Sequence, residues 1–378
     1  MTSQLSSDRP APAEGAAAPG ASAKNGTARR APAPGWFAAV MGTGILANAA
    51  ATLPRGAGGL RPAATVIWVA AALLLLILTA GYVRQWALRM HAADPAAAQF
   101  LGAPPMALLT VGAGAVLLGG RVMGTRAALV VDWSLWSLGT AGGLATACAV
   151  PYLMITRHRF APGAAFGGWL MPVVPPLVSA ATGALLVPHA PAGEPRLALL
   201  LGCYALLGLG LVAVFLVLAM VYSSLVHHEA PAGAAVPTVW IGLGALGQAV
   251  TALGALATAS RGVLPAPSAR DAAALALLPG VGLWGFAVLW LALAAALTVR
   301  EFRAGLPFAP TWWSFIFPLG ALVTGTSALA ARTGSQLFVW PGVFLYVLLA
   351  AAWAAVAWRS LAHAATHTRH GAARRPAR

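Results

Sequence analysis

Residues 197–222 read LALLLGCYALLGLGLVAVFLVLAMVY, an unbroken run of 26 residues without a charge. A helix rises about 1.5 Å per residue, so this one outreaches the roughly 30 Å hydrocarbon core of a bilayer. Glu194 and Arg196 stand before it, and His227, His228 and Glu229 stand after it. An apolar centre between polar ends predicts a helix that crosses a membrane.

Working outward, the same pattern repeats along the chain. Ten spans are expected, near 36–53, 62–86, 104–123, 129–156, 168–187, 197–222, 236–257, 273–299, 311–330 and 337–358. Pro, Gly, Arg, His and acids collect in the breaks, as in Pro54-Arg55-Gly56 and Arg157-His158-Arg159. The fold class is therefore all-α integral membrane. Hydrophobic residues make up 60% of the 378 residues and charged residues 8%, against about a quarter charged in soluble domains. That balance excludes an ordinary soluble enzyme and a disordered chain. The net charge of +15 does not point to nucleic acid, because a basic nucleic-acid face needs a polar domain to carry it. The partner the composition calls for is a lipid bilayer.

Residues 1–34, rich in Ala, Pro, Ser and Gly, predict a disordered cytoplasmic N-terminal tail. Residues 35–358 hold the ten-helix membrane domain, and residues 359–378 a basic cytoplasmic C-terminal tail. With an even number of spans both tails share one side. That side carries 15 basic residues and the other carries eight. The positive-inside rule then places both termini in the cytoplasm, with the chain in the plasma (cell inner) membrane. The eight acids, Asp132 among them, are expected in tails, loops or helix ends, and no arginine within a span interior. Cys148 and Cys203 sit inside apolar runs and read as small hydrophobes.

A second pattern sorts the spans. Odd-numbered spans carry small, polar and helix-breaking residues. The first has Gly42, Thr43, Gly44 and Asn48, and the fifth has Pro172, Pro175, Pro176 and Thr182. The seventh has Gly247, Gln248 and Thr251, and the ninth has Pro318, Thr324 and Ser327. Even-numbered spans are plainer Leu-Ala-Val-Trp stock, except the fourth, with Ser134, Ser137, Thr140 and Thr146. Backbone groups freed at Pro and Gly can be satisfied only among other helices or water. The alternation predicts five helical hairpins, odd helices inside around a central pore and even helices outside.

Catalytic patterns are missing, with no HExxH, no GxSxG and no pair of buried carboxylates, so neither an enzyme nor a cofactor or metal is expected. Two GxGxxG matches, Gly242 to Gly247 and Gly280 to Gly285, lie within apolar spans rather than after a strand, and are decoys.

Four stretches carry a family resemblance. They are Pro34-Gly-Trp-Phe-Ala-Ala-Val-Met-Gly-Thr-Gly-Ile45, Trp169-Leu-Met-Pro-Val-Val-Pro-Pro176, Trp240-Ile-Gly-Leu-Gly-Ala-Leu-Gly-Gln248 and Phe308-Ala-Pro-Thr-Trp-Trp-Ser-Phe-Ile-Phe-Pro318. Together they resemble the tellurite-resistance/dicarboxylate transporter family, which takes in bacterial TehA, fungal malate permeases and sulfite efflux pumps, and plant slow-type anion channels. The resemblance implies ten helices in five hairpins, a homotrimer, and a pore for small anions plugged by a phenylalanine of the ninth helix. Phe317 matches that position, with Phe315 as the fallback. The substrate implied is a C4-dicarboxylate such as malate, or sulfite or another oxyanion. Pore-lining or kink residues are expected at Gly42, Thr43, Gly44, Pro172, Pro175, Pro176, Gly247, Gln248, Pro318 and Thr324. Anion selectivity is expected from backbone N–H groups freed at kinks, from hydroxyl and amide donors, and from basic residues at the mouths. A transporter for neutral or cationic solutes and an integral-membrane enzyme are the alternative readings.

Overall fold

The computed structural model describes residues 34–84, 94–228 and 230–373. The tail expected at 1–34 lies, but for Pro34, outside the described residues. Ten principal helices follow in order: α1 (Phe37–Thr52), α2 (Ala57–Arg84), α3 (Ala103–Gly114), α4 (Thr125–Thr156), α5 (Pro175–Leu186), α6 (Glu194–His227), α7 (Ile241–Ser260), α8 (Ala266–Arg303), α9 (Ile316–Thr333) and α10 (Gln336–Ala373). No strand occurs among the described residues. Helix α10 runs on through residues 359–373, into the segment read as the C-terminal tail.

The odd-numbered helices share one construction. Each is reached through a 3-10 turn: Pro34–Trp36, Phe100–Gly102, Gly167–Leu170, Gly233–Trp240 and Pro310–Phe315. Prolines sit at these junctions. Pro104 and Pro105 open α3, and Pro175 and Pro176 open α5. In a first turn proline removes no helical hydrogen bond, since those N–H groups lack an intrahelical acceptor anyway. Helix α3 also continues through a π turn at Ala115–Gly119. Two carbonyls just ahead of that turn are taken by side chains: Asn48 Nδ2 donates to Thr110 O at 3.0 Å, and Trp68 Nε1 to Val111 O at 2.9 Å.

Successive helices pack as hairpins, α1 on α2, α3 on α4, α5 on α6, α7 on α8 and α9 on α10. The odd helices also pack on one another, α1 on α3, α3 on α5, α5 on α7, α7 on α9, and α9 back on α1. That closes an inner ring. In the central stretches of the third, seventh and ninth segments 78–89% of residues are buried, against 17–28% for the even-numbered helices. Uniformly apolar helices thus face lipid, as the sequence pattern predicts. The fourth span is outer despite its hydroxyls. Ser134 donates to Val130 O and Thr146 to Gly143 O, both within α4, so each polar group is satisfied by its own helix.

Tryptophans stitch the two layers together. Trp68 of α2 reaches Val111 O of α3, Trp136 of α4 reaches Ser179 O of α5, Trp284 of α8 reaches Thr326 Oγ1 of α9, and Trp353 of α10 reaches Thr43 Oγ1 of α1, all within 2.9–3.1 Å. An indole buries a large apolar area and needs only one acceptor, so it suits a helix wet on neither side.

One expectation is corrected. Asp132 is neither in a loop nor at a helix end. Helix α4 begins seven residues earlier, at Thr125, and carries Asp132 fully buried against Gly112 of α3, with no hydrogen-bond partner for either carboxylate oxygen among the described residues. A charge held there costs several kcal/mol.

Candidate functional site

Two cavities lie within the inner ring. The first, about 320 Å³, is almost wholly apolar and includes Met41, Met106, Val174, Gly244 and Phe317 in its wall. The second, about 920 Å³, is lined by Thr110, Gln248, Thr251 and Thr324, and further out by Arg196, Arg261 and Arg332.

Their register places them end to end. Met41 faces the first cavity and Ile45 the second. Met106 and Thr110, Val174 and Val178, and Gly244 and Gln248 divide the same way. Each step is four residues, or about 6 Å along a helix. In α9 Phe317 and Pro318 face the first cavity, and Thr324 the second. The five inner helices are therefore parallel, and about one turn separates an apolar chamber at their N-terminal ends from a polar one at their C-terminal ends.

The ring closes through glycine. A Cβ on Gly247 of α7 would stand 2.5 Å from Ala321 C and 2.6 Å from Leu322 N of α9, and one on Gly244 would stand 3.1 Å from Pro318 Cα. The GxGxxG of α7 is thus a helix seam. In α8, Gly282 and Gly285 meet nothing within 4 Å.

The expected site residues fall into two groups. Phe317, Gln248, Pro318 and Thr324 line the cavities. Thr324 lies 2.8 Å from the Thr251 hydroxyl, across the α7–α9 seam. Gln248 is 3% exposed, and its amide makes no hydrogen bond among the described residues. The other expected residues serve packing. Gly42 fits against Trp313 and Ile316, Gly44 against Thr110, and Pro175 against Gly143. Thr43 holds the Trp353 indole. Pro172 and Pro176 are buried near the start of α5, and neither lines a cavity. Phe315, the fallback gate, sits in an aromatic cluster, 5.4 Å from the Trp240 ring and 6.0 Å from that of Trp312.

One expectation about selectivity changes. Backbone donors at the α5 break are used locally. Trp169 N bonds Phe166 O, Met171 N bonds Gly168 O, and Val173 N and Val174 N bond Leu170 O. Arginine stands at the mouth, as expected. Arg332 lies in the last turn of α9, where Nη2 donates to Ala273 O at 2.7 Å, while Nε and Nη1 find no acceptor among the described residues. Met41, Met106 and Val174 went unnoticed because apolar residues in an apolar span carry no signal of their own.

Comparison with known proteins fits this geometry. The chain is 30% identical over 338 residues to the sulfite efflux pump SSU1 of Trichophyton rubrum, covering 85% of this chain and 88% of that protein. It is 29% identical over 338 residues to the sulfite efflux pump SSU1 of Arthroderma otae, with the same coverage. It is 28% identical over 330 residues to an uncharacterized transporter of Methanocaldococcus jannaschii, covering 85% of this chain and 90% of that protein. The model of the SLAC1 family, described as voltage-dependent anion channel, matches residues 33–361. Ten helices in five hairpins, closed around a polar chamber and an apolar one, are thus the frame of a protein that belongs to the SLAC1 family of anion channels.

Proposed function

We propose that the protein passes small oxyanions, sulfite foremost, down the axis of the inner ring, and that Phe317 closes this path. The observation that carries the reading is the sequence of surfaces along the axis. Three guanidinium groups stand at one mouth, amide and hydroxyl groups follow, then one apolar turn bearing Phe317, and among the described residues no carboxylate lines either cavity. An anion meets attraction and then the Gln248 amide, whose N–H donors are uncommitted among the described residues, while a cation is repelled at the mouth. A weak neutral donor suits passage, since a tightly held ion does not leave. The absence of a facing acid weighs against a path for cations. Asp132 does not change this, because it lies between α3 and α4, off the axis.

The resemblance to sulfite efflux pumps supports sulfite over malate as the first substrate to try. The positive-inside count places both termini in the cytoplasm, so the arginine mouth opens outward. Assembly as a homotrimer follows the family resemblance.

The test is flux through the purified protein in liposomes with sulfite, malate, nitrate and chloride as sole anions. The expected result is sulfite-dependent current or efflux that is unchanged when sodium is replaced by a bulky cation. Flux that follows the cation, or that carries an uncharged solute equally well, would refute the reading.

A further inference from the structure

We propose that the wide cavity is a capture vestibule, in which Arg332, assisted by Arg261 and Arg196, holds a small oxyanion before it reaches the constriction. This deepens the anion-conduction reading and rests on it for the ion's onward path.

The first support is an imbalance of charge. All three guanidinium groups line one cavity, and among the described residues no acid lines it with them. The Arg300–Glu301 ion pair lies at the C-terminal end of α8, and neither residue lines this cavity. The second is the hydrogen bonding of Arg332. Guanidinium offers five N–H donors. One nitrogen serves Ala273 O, while Nε and Nη1 of this half-buried side chain find no acceptor among the described residues. A buried cationic donor without an acceptor is among the costliest arrangements in a protein interior, and an anion with several oxygens relieves it. Arg196 spends Nε and Nη2 on Ala190 O, at 3.0 and 2.7 Å. The Arg261 side chain makes no hydrogen bond among the described residues.

The third support comes from the helices. Thr52, Leu185, Ala259 and Arg332 all line this cavity, and each lies at or next to the C-terminal end of α1, α5, α7 or α9. Each of these C-terminal ends brings partial negative charge to the mouth. The guanidinium groups offset it and leave the mouth attractive to anions, and each arginine contributes to that.

Sulfite uptake into liposomes should be measured against sulfite concentration for the wild type, Arg332→Gln, Arg332→Lys and Arg261→Gln. The half-saturating concentration is expected to rise about tenfold in Arg332→Gln, as for loss of one charge-assisted hydrogen bond. It should rise less in Arg261→Gln and in Arg332→Lys, with maximal flux kept within about twofold in each. Arg332 also ties α9 to α8, so Arg261→Gln, which breaks no bond, keeps the test open if Arg332→Gln fails to fold. A half-saturating concentration equal to wild type in Arg261→Gln and in whichever Arg332 variant folds would overturn the proposal; the arginines would then serve only to neutralise helix ends. A second readout does not need conduction. Sodium sulfite, and not uncharged dimethyl sulfone, should raise the melting temperature of the detergent-purified wild type, and should do so less in the arginine variants. Sulfite stabilisation without any anion flux would remove the conduction reading and leave the vestibule standing. Flux indifferent to the arginines would do the reverse.

Discussion

Replacing Phe317 by alanine is expected to raise anion flux by at least tenfold at saturating sulfite. The ring is 5% exposed and lines the apolar chamber at the level where the two cavities come within about one helical turn. An ion crossing that turn must shed water against Met41, Met106 and Val174, which offer no hydrogen bond. Truncating the ring widens the turn and admits water, which lowers the electrostatic barrier. Each 1.4 kcal/mol removed is about tenfold in rate, and dehydrating an ion costs many times that. The contrasting variant is Phe315→Ala. Its ring is edge-on to Trp240 and lines neither cavity, so the expected outcome is about 3–5 kcal/mol of lost stability and no gain in flux. Single-channel or stopped-flow flux on both proteins decides the matter. Phe317→Ala with wild-type flux removes Phe317 as the gate, and a gain in Phe315→Ala alone transfers the role to that residue.

The division between inner and outer helices was legible in the sequence because lipid imposes it. Leu211 to Met220 can face hydrocarbon, whereas Gly247 and Pro318 free or expose backbone that hydrocarbon cannot satisfy. Reading the same residues one at a time as pore lining goes further than that physics allows. A glycine in an inner helix either opens a path or admits a neighbour, and Gly42, Gly44 and Gly247 admit neighbours. Gln248 and Thr324 differ in having polar atoms that must find something, and they line the polar cavity. The role of the fourth span depended on rotation about the helix axis. Ser134 bonding back to Val130 makes it fit for an outer helix, and that bond cannot be read from composition. Asp132 was misplaced for a physical reason. Its helix outruns the apolar stretch at the N-terminal end of α4, so a carboxylate expected at a helix end is carried inside.

The same distinction makes Gly247→Val one of the most damaging substitutions expected along the seam between inner helices. Helices α7 and α9 approach so closely here that a Cβ would touch main-chain atoms of Ala321 and Leu322 rather than a side chain able to rotate away. One turn along, Gly325 fits against Gly247 O and Val250 on the same seam. Added bulk in a packed core generally costs about 1–3 kcal/mol, and it costs more where backbone has to move. Valine would also wedge α7 from α9 at the level of Gln248 and Thr324, polar residues that line the cavity from opposite sides of the seam. The expected result is little or no monodisperse protein after detergent extraction, and no flux from what remains. The control is Gly282→Val in α8, where a Cβ meets nothing within 4 Å. There valine should be tolerated, since it is a better helix former than glycine. Size-exclusion profiles before and after mild heating separate the two. Equal recovery of both variants would mean that the seam gives way easily and that glycine is not what holds the inner ring closed.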